Sequence, residues 1–201
     1  MYPALTVAIT AARKAGEIMM RSREQLDKLT IQRKAPQDFC SEIDWEAEIE
    51  IIKILSKSYP HHGIQAEESG LQQDKSDYLW VIDPLDGTTN YLHGHPFFCV
   101  SIALKIKQRL ECAVIFDPVQ QECFVASRGE GARLNDHRLR VSKVADLSDA
   151  IVGTTYSGTS KQKVPDKWRS GLRHVFETVV GYRKNGAAAL ELAYVAAGRL
   201  D

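Results

Sequence analysis

The stretch Trp80-Val-Ile-Asp83-Pro-Leu-Asp86-Gly-Thr-Thr-Asn90 carries the clearest structural signal in the chain. It begins within a short apolar run, residues 78–82, which is typical of a buried β-strand. The run stops at Asp83-Pro84, so the sequence predicts a strand that leads into a functional loop. Asp83 and Asp86 can converge on one point across this turn, as hard oxygen-seeking cations require. The backbone N–H groups of residues 87–89 would bind phosphate if a helix begins there.

Further carboxylates lie upstream of this stretch. Glu67 and Glu68 belong to a predicted loop, Ala66-Glu-Glu-Ser-Gly70, and Asp44 lies near the start of a predicted helix. Four or five carboxylates are costly to bring together unless cations neutralise them. Together they predict a site for Mg²⁺ and phosphate. Taken singly, Asp44 and Glu68 are explained equally well as a helix cap, a turn carboxylate or a solvated acid.

Hydrophobic periodicity predicts four helices around these motifs. Ser41 is a plausible N-cap for the second of them. The helices are expected from the N-terminus to about Leu26, from Ile43 to about Ser58, from Lys167 to about Val180, and from Ala187 to about Ala197.

Several segments have the pattern of antiparallel strands. Residues 98–107 alternate between apolar and other side chains, which indicates a half-buried strand. Residues 112–116 and 122–126 predict a hairpin, whereas residues 129–136 have the composition of a loop. Shorter strands are expected at Ala150–Thr155 and Tyr182–Lys184. The fold class is therefore α+β, and the pattern divides the chain into an N-terminal subdomain, residues 1–145, and the start of a second, residues 146–201.

Composition restricts the function further. The 201 residues include 26 Lys and Arg against 26 Asp and Glu, so direct nucleic-acid binding by a uniformly basic surface is not expected. No apolar run approaches the roughly 18 residues of a membrane span, and Arg13, Lys14 and Glu17 interrupt the stretch where a signal peptide is apolar. We expect a cytoplasmic protein without membrane contact. Its four cysteines form no C-x-x-C pair and predict free thiols.

Four segments together resemble the inositol monophosphatase family, a lithium-sensitive, Mg²⁺-dependent phosphatase superfamily. They are WVIDPLDGTTN, AEESG, APQDFCSEID and NGAAALELAYVAAGRLD. The AARKAGE and RGEGARLN segments are similar to its bacterial SuhB-type members in particular. The resemblance implies a layered αβαβα sandwich of the inositol monophosphatase and fructose-bisphosphatase type. It also implies that the C-terminal part of the fold is missing after Asp201, including a Trp-Asp motif that completes the second metal site. The sequence is therefore expected to be a fragment of a longer gene product or, less readily, a truncated relative.

The resemblance also implies roles for individual residues. Glu67, Asp83, the Leu85 carbonyl and Asp86 would bind two or three Mg²⁺ ions. Glu67, Asp44 and Thr88 would position and activate the attacking water. Asp86, Gly87, Thr88 and Ala188 would contact the substrate. Lys34 and Asp38 would belong to a mobile loop that closes over the site.

The implied activity is hydrolysis of inositol monophosphates and related polyol phosphates by a homodimer. The resemblance to SuhB-type members also implies a role that is not enzymatic. This role is transcription antitermination through contact with RNA polymerase and Nus factors. A nucleotide-phosphate or fructose-bisphosphate phosphatase is a weaker alternative.

Overall fold

A computed structural model describes residues 3–28, 30–35, 38–72, 76–154 and 166–201. The chain begins with helix α1, Pro3–Ser22, followed by a 3₁₀ turn, Arg23–Lys28. Strands β1, Ile31–Ala35, and β2, Asp38–Ser41, form a hairpin that leads into α2, Glu42–Ser58. The two predicted helices are confirmed, and Ser41 is the N-cap of α2.

An eight-stranded sheet forms the centre of the molecule. Its strands are β3 (Gly63–Ala66), β4 (Gly70–Gln72), β5 (Tyr78–Asp86), β6 (Cys99–Ile106), β7 (Arg109–Asp117), β8 (Glu122–Ser127), β9 (Gly131–Leu134) and β10 (His137–Arg138). Their order is β10-β9-β8-β7-β6-β5-β3-β4, and only the β3–β5 pair is parallel. Strands β5 to β8 form an antiparallel meander, and the predicted hairpin, β7 and β8, is confirmed.

Helices cover both faces of this sheet. On one face, α1 and α2 pack over β5, β6 and β7. The predicted inward face of β6 is confirmed, since Val100, Ile102 and Leu104 are fully buried there. On the other face lies α5, Ala188–Ala196, whose Leu190 and Ala193 pack with Cys99 and Phe124.

The remaining elements add a further layer beyond α5. Strands β11, Ile151–Gly153, and β12, Gly181–Arg183, form a parallel pair, and α5 contacts β11. Helix α4, Asp166–Thr178, reaches β12 through the rings of Phe176 and Tyr182, whose centroids are 4.8 Å apart. The order α1/α2, sheet, α5, small sheet and α4 confirms the layered αβαβα class. The division at residue 145 stays a prediction.

Two local predictions are wrong. Residues 131–134, expected in a loop, form β9 because Ala132 and Leu134 are half-buried against the sheet while their neighbours face solvent. Strand β5 does not stop at Asp83-Pro84 but continues to Asp86 through a shift in register with β6. Pro84, which has no N–H to donate, lies within that irregular stretch, so a proline is tolerated inside the strand.

Candidate active site

Asp44 is a buried carboxylate that connects α2 to the turn after β5. Its Oδ2 accepts hydrogen bonds from the Ser41 N–H at 2.8 Å and from the Ser41 hydroxyl at 2.6 Å. Its Oδ1 accepts from the Thr88 hydroxyl at 3.0 Å, and the same hydroxyl lies 3.1 Å from the Leu85 carbonyl oxygen. Burial raises the pKa of Asp44, partly offset by these hydrogen bonds, and the charge of Glu68 raises it further. Asp44 therefore orients Thr88 from a position that is buried away from solvent.

Asp83 lies among other carboxylates at the end of β5. Burial raises its pKa to about 8, and the charges of Glu67 and Asp86 add to the increase. Glu67 also hydrogen-bonds to Asp83, and the Leu85 N–H donates to Asp83 Oδ1 at 3.2 Å. Glu67, in the turn after β3, is exposed, whereas Asp83 and Asp86 are half-buried. The structure thus brings the three predicted acidic ligands together.

Asp86 faces the first turn of α5. Its Oδ2 accepts the Ala189 N–H at 2.6 Å, and the Ala188 N–H also donates to its carboxylate. The Cys99 thiol lies 3.8 Å from the same oxygen. Burial raises the pKa of Asp86, while these donors lower it. The N-terminus of α5 therefore stabilises a negative charge at this position.

Gly87 forms the sharp turn between β5 and the short helix α3, Thr88–Leu92. The condition set for phosphate binding, that a helix begins after the aspartate motif, is met by α3. Gly87 has a φ of 99°, and a Cβ there would lie 3.1 Å from the Phe97 carbonyl oxygen and 3.2 Å from the Ala187 Cβ. Both the left-handed backbone and the close approach of the loop before α5 require glycine at this position.

Sequence reasoning assigned no role to Asn90 or Glu48. Asn90 Nδ2 donates to the carbonyl oxygens of Phe97, at 2.7 Å, and Asn185, at 2.6 Å, and so connects α3 to the loop before α5. The carboxylate of Glu48 is buried and binds the backbone of the turn that carries Glu67. The spacing of four residues from Asp44, which places Glu48 on the same helix face, is a signal that could have identified it.

The donor set at this site fits Mg²⁺. Glu67, Asp83 and Asp86 supply carboxylate oxygens, the Leu85 carbonyl is adjacent, and such hard oxygen ligands are those that Mg²⁺ prefers. Burial, and then the like charges of Glu67 and Asp86, raise the pKa of Asp83, and a cation would neutralise those charges. Within the described ranges, no three His, Cys, Asp or Glu side chains are already arranged around a common metal position. A bound ion would therefore also need carbonyl, water or phosphate oxygens.

Two predicted residues lie at the edge of what the structure describes. Lys34 is in β1 and Asp38 is in β2, and their side chains lie outside the described part of the chain. Their role in closing over the site stays a prediction. The side chain of Cys40 likewise lies outside the described part, whereas Cys99, Cys112 and Cys123 are buried free thiols, as predicted. Among the described helices, none has the length and apolarity to cross a membrane.

Curated relatives match the whole chain. It is 49% identical over 205 residues to the Nus factor SuhB of Pseudomonas aeruginosa, of which it covers 76%. It is 45% identical over 202 residues to the Nus factor SuhB of Escherichia coli K12, of which it covers 75%.

Solved structures share the fold. The extragenic suppressor protein SuhB of Bartonella henselae superposes with a TM-score of 0.89 at 41% identity, over 98% of this chain and 75% of that one. The inositol monophosphatase of Anabaena superposes with a TM-score of 0.80 at 36% identity, over 98% and 72% of the two chains. The model of the inositol monophosphatase family matches residues 1–201. The chain therefore belongs to the inositol monophosphatase family.

Proposed function

We propose that this protein is a Mg²⁺-dependent phosphate monoester hydrolase that acts on inositol monophosphates and related polyol phosphates. The observation that carries the proposal is the position of Asp83, whose half-buried carboxyl shares a hydrogen bond with Glu67 and lies near the charge of Asp86. Three carboxylates in such proximity repel one another, and a divalent cation would convert this repulsion into attraction. Family membership supports the same conclusion.

The residues that would hold the cations are Glu67, Asp83, the Leu85 carbonyl and Asp86. We expect two or three ions per site. Bound Mg²⁺ supplies charge neutralisation for the phosphoryl group and lowers the pKa of a coordinated water.

Thr88 and Asp44 would orient the attacking water. The single hydroxyl hydrogen of Thr88 is directed towards Asp44 Oδ1 and the Leu85 carbonyl oxygen, 3.0 Å and 3.1 Å away. With its hydrogen engaged there, the Thr88 oxygen can accept a hydrogen bond from water. Glu67 would act on the same water from the opposite turn. This arrangement requires no covalent nucleophile from the protein.

The phosphate would be held by backbone N–H groups of Gly87 and Thr88, where α3 begins. The loop before α5 and Ala188, the first residue of that helix, would contact the polyol. The Ala188 and Ala189 N–H groups already bind Asp86, so cation binding and substrate binding would be coupled through that carboxylate.

The test is phosphate release from inositol 1-phosphate with and without Mg²⁺. We expect Mg²⁺-dependent turnover that Glu67→Gln reduces at least about 100-fold, in the range for loss of a group that activates water. Asp77→Asn, which changes an exposed acid far from the site, is the control. Turnover that does not depend on Mg²⁺, or that Glu67→Gln leaves unchanged, would contradict the proposal.

A second function is favoured by a separate observation, since relatives 49% and 45% identical are named Nus factor SuhB. We propose that this chain also contacts RNA polymerase or Nus factors. The test is co-purification with these proteins, which we expect to persist in Asp83→Asn because the contact would use the surface and not the cation site. Failure to bind any of them would exclude this role. The homodimer and the cytoplasmic location stay predictions.

A further inference from the structure

Glu48 is a buried acid in α2 whose two carboxylate oxygens are both used. Glu48 is only 1% exposed to solvent. Oε2 accepts the Glu68 N–H at 2.8 Å, and Oε1 accepts the Ser69 N–H at 2.8 Å. Hydrogen bonds to a charged acceptor are roughly twice as strong as neutral ones, so this carboxylate holds two consecutive backbone groups.

The backbone that Glu48 holds is the turn that presents Glu67. Strands β3 and β4 pair with Ala66 opposite Gly70, which leaves residues 67–69 as the whole connection. Glu48 binds two of its three N–H groups. Glu48 therefore fixes the backbone from which the Glu67 side chain projects.

One turn of α2 thus supports both sides of the site. Asp44 orients Thr88 after β5, and Glu48, four residues later, fixes the turn after β3. Residues four apart lie on the same helix face, so the two carboxylates act from one rigid support. A rigid support improves cation affinity because binding of the ion then costs less conformational entropy.

We infer that Glu48 is a positioning residue for the cation site, which it serves by orienting Glu67. This inference rests on the proposed function. The acid cannot be replaced by its amide without loss: glutamine offers one acceptor oxygen, and its NH₂ group would face one of the two backbone donors. Mutation of residues that support metal ligands typically costs about 10- to 100-fold in metal affinity or activity.

The experiment compares Glu48→Gln with Glu46→Gln, which changes an exposed acid on the same helix. Amide hydrogen exchange is measured by NMR on Mg²⁺-free protein. The Mg²⁺ concentration for half-maximal phosphate release from inositol 1-phosphate is measured separately. In Glu48→Gln we expect exchange at Glu68 and Ser69 to accelerate at least about tenfold. We also expect half-maximal Mg²⁺ to rise at least about tenfold, with KM at saturating Mg²⁺ nearly unchanged. Glu46→Gln should show neither effect.

Each outcome decides between distinct alternatives. Unchanged exchange at Glu68 and Ser69 would show that Glu48 does not hold the turn. Faster exchange with unchanged Mg²⁺ dependence would show a purely structural contact and overturn the positioning role. Absence of Mg²⁺ dependence in the wild-type protein would instead contradict the proposed function itself. If circular dichroism shows that Glu48→Gln does not fold, the experiment is repeated with Glu48→Asp, which keeps the charge on a shorter side chain. Glu48→Asp is also expected to raise the Mg²⁺ concentration for half-maximal phosphate release. An unchanged concentration would overturn the inference.

Discussion

Asp86 Oδ2 accepts the backbone N–H of Ala189 at 2.6 Å and so joins two segments that are 103 residues apart in sequence. The aspartate lies at the end of β5, and the N–H belongs to the first turn of α5. The start of α5 is therefore fixed against the acid cluster. Changes on either side of this contact are expected to affect both cation and substrate binding.

Replacement of Asp83 by asparagine should stabilise the Mg²⁺-free protein. The pKa of Asp83 is raised to about 8, so its folded state favours the protonated carboxyl. The stability contributed by that proton is fully present below the unfolded pKa, about 4, and is lost as pH rises through the folded pKa. The asparagine side chain cannot ionise. The variant's gain in unfolding free energy over the wild-type protein should therefore vanish below about pH 4 and be largest at about pH 8 and above. Thermal unfolding at pH 8 should show a Tm increase of at least about 2–4 °C, which corresponds to about 1 kcal/mol in a domain of this size.

Mg²⁺ should make the wild-type protein more stable than Asp83→Asn, because the ion stabilises only a folded state that binds it. The Tm of the wild-type protein should rise with added Mg²⁺, whereas that of Asp83→Asn should not. An Asp83→Asn variant that is less stable than wild type in the absence of Mg²⁺ would show that the carboxylates are not in electrostatic conflict.

Removal of the Thr88 hydroxyl should lower turnover sharply. Thr88→Val keeps the shape of the side chain but leaves Asp44 Oδ1 and the Leu85 carbonyl without this donor. We expect kcat to fall at least about 100-fold, as for other positioned groups that act on a nucleophile. Thr88→Ser retains the hydroxyl and should recover most of the rate. Equal activity in the valine and serine variants would exclude a role for the hydroxyl.

Asn90 should couple stability to substrate binding. In Asn90→Asp, an acceptor replaces the amide donor that faces the Phe97 and Asn185 carbonyl oxygens. Loss of the partner of a buried polar group costs about 1–3 kcal/mol, and the loop before α5 should loosen. We expect a lower Tm and a higher KM for inositol 1-phosphate. Asn185→Ala is the matched control, since only its backbone carbonyl accepts this bond, and it should retain both values.

Substitutions at Gly70 and Gly87 distinguish the cost of a left-handed backbone from the cost of steric crowding. Gly70 and Gly87 have φ values of 77° and 99°, but a Cβ would meet no atom within 4 Å at Gly70 and three atoms at 3.1–3.2 Å at Gly87. Gly70→Ala should cost about 1–2 kcal/mol of unfolding free energy from the left-handed backbone alone. Gly87→Ala should cost more, as measured by urea unfolding. Equal losses would mean that the surroundings of Gly87 yield readily.

Local patterns were sufficient to predict most of the elements. The alternation in β6 and the periodicity of α1 and α2 depend on burial of one face, which the order of residues records directly. Strand β9 was missed because its partly buried Ala132 and Leu134 lie among glycine and polar residues, and pairing with β8 decides its conformation. The irregular continuation of β5 past Pro84 was missed for a similar reason, since the register with β6 is a tertiary property.

The site was predictable in its acids but not in its supports. Asp83 and Asp86 stand in a dense motif, and their chemistry follows from residue type. Asn90 belongs to the same motif, yet its partner carbonyl in Asn185 is 95 residues away, and nothing local indicates that contact. Glu48 resembles any helical acid until its burial is known.

If the carboxylates of Glu67, Asp83 and Asp86 form a divalent cation site, the purified protein should bind Mg²⁺ in the presence of inorganic phosphate. Calorimetric titration measures this binding. We expect saturable binding in the wild-type protein and in Asp77→Asn, and its loss in Asp83→Asn. Absence of binding in the wild-type protein, or equal binding in Asp83→Asn, would contradict the presence of this site.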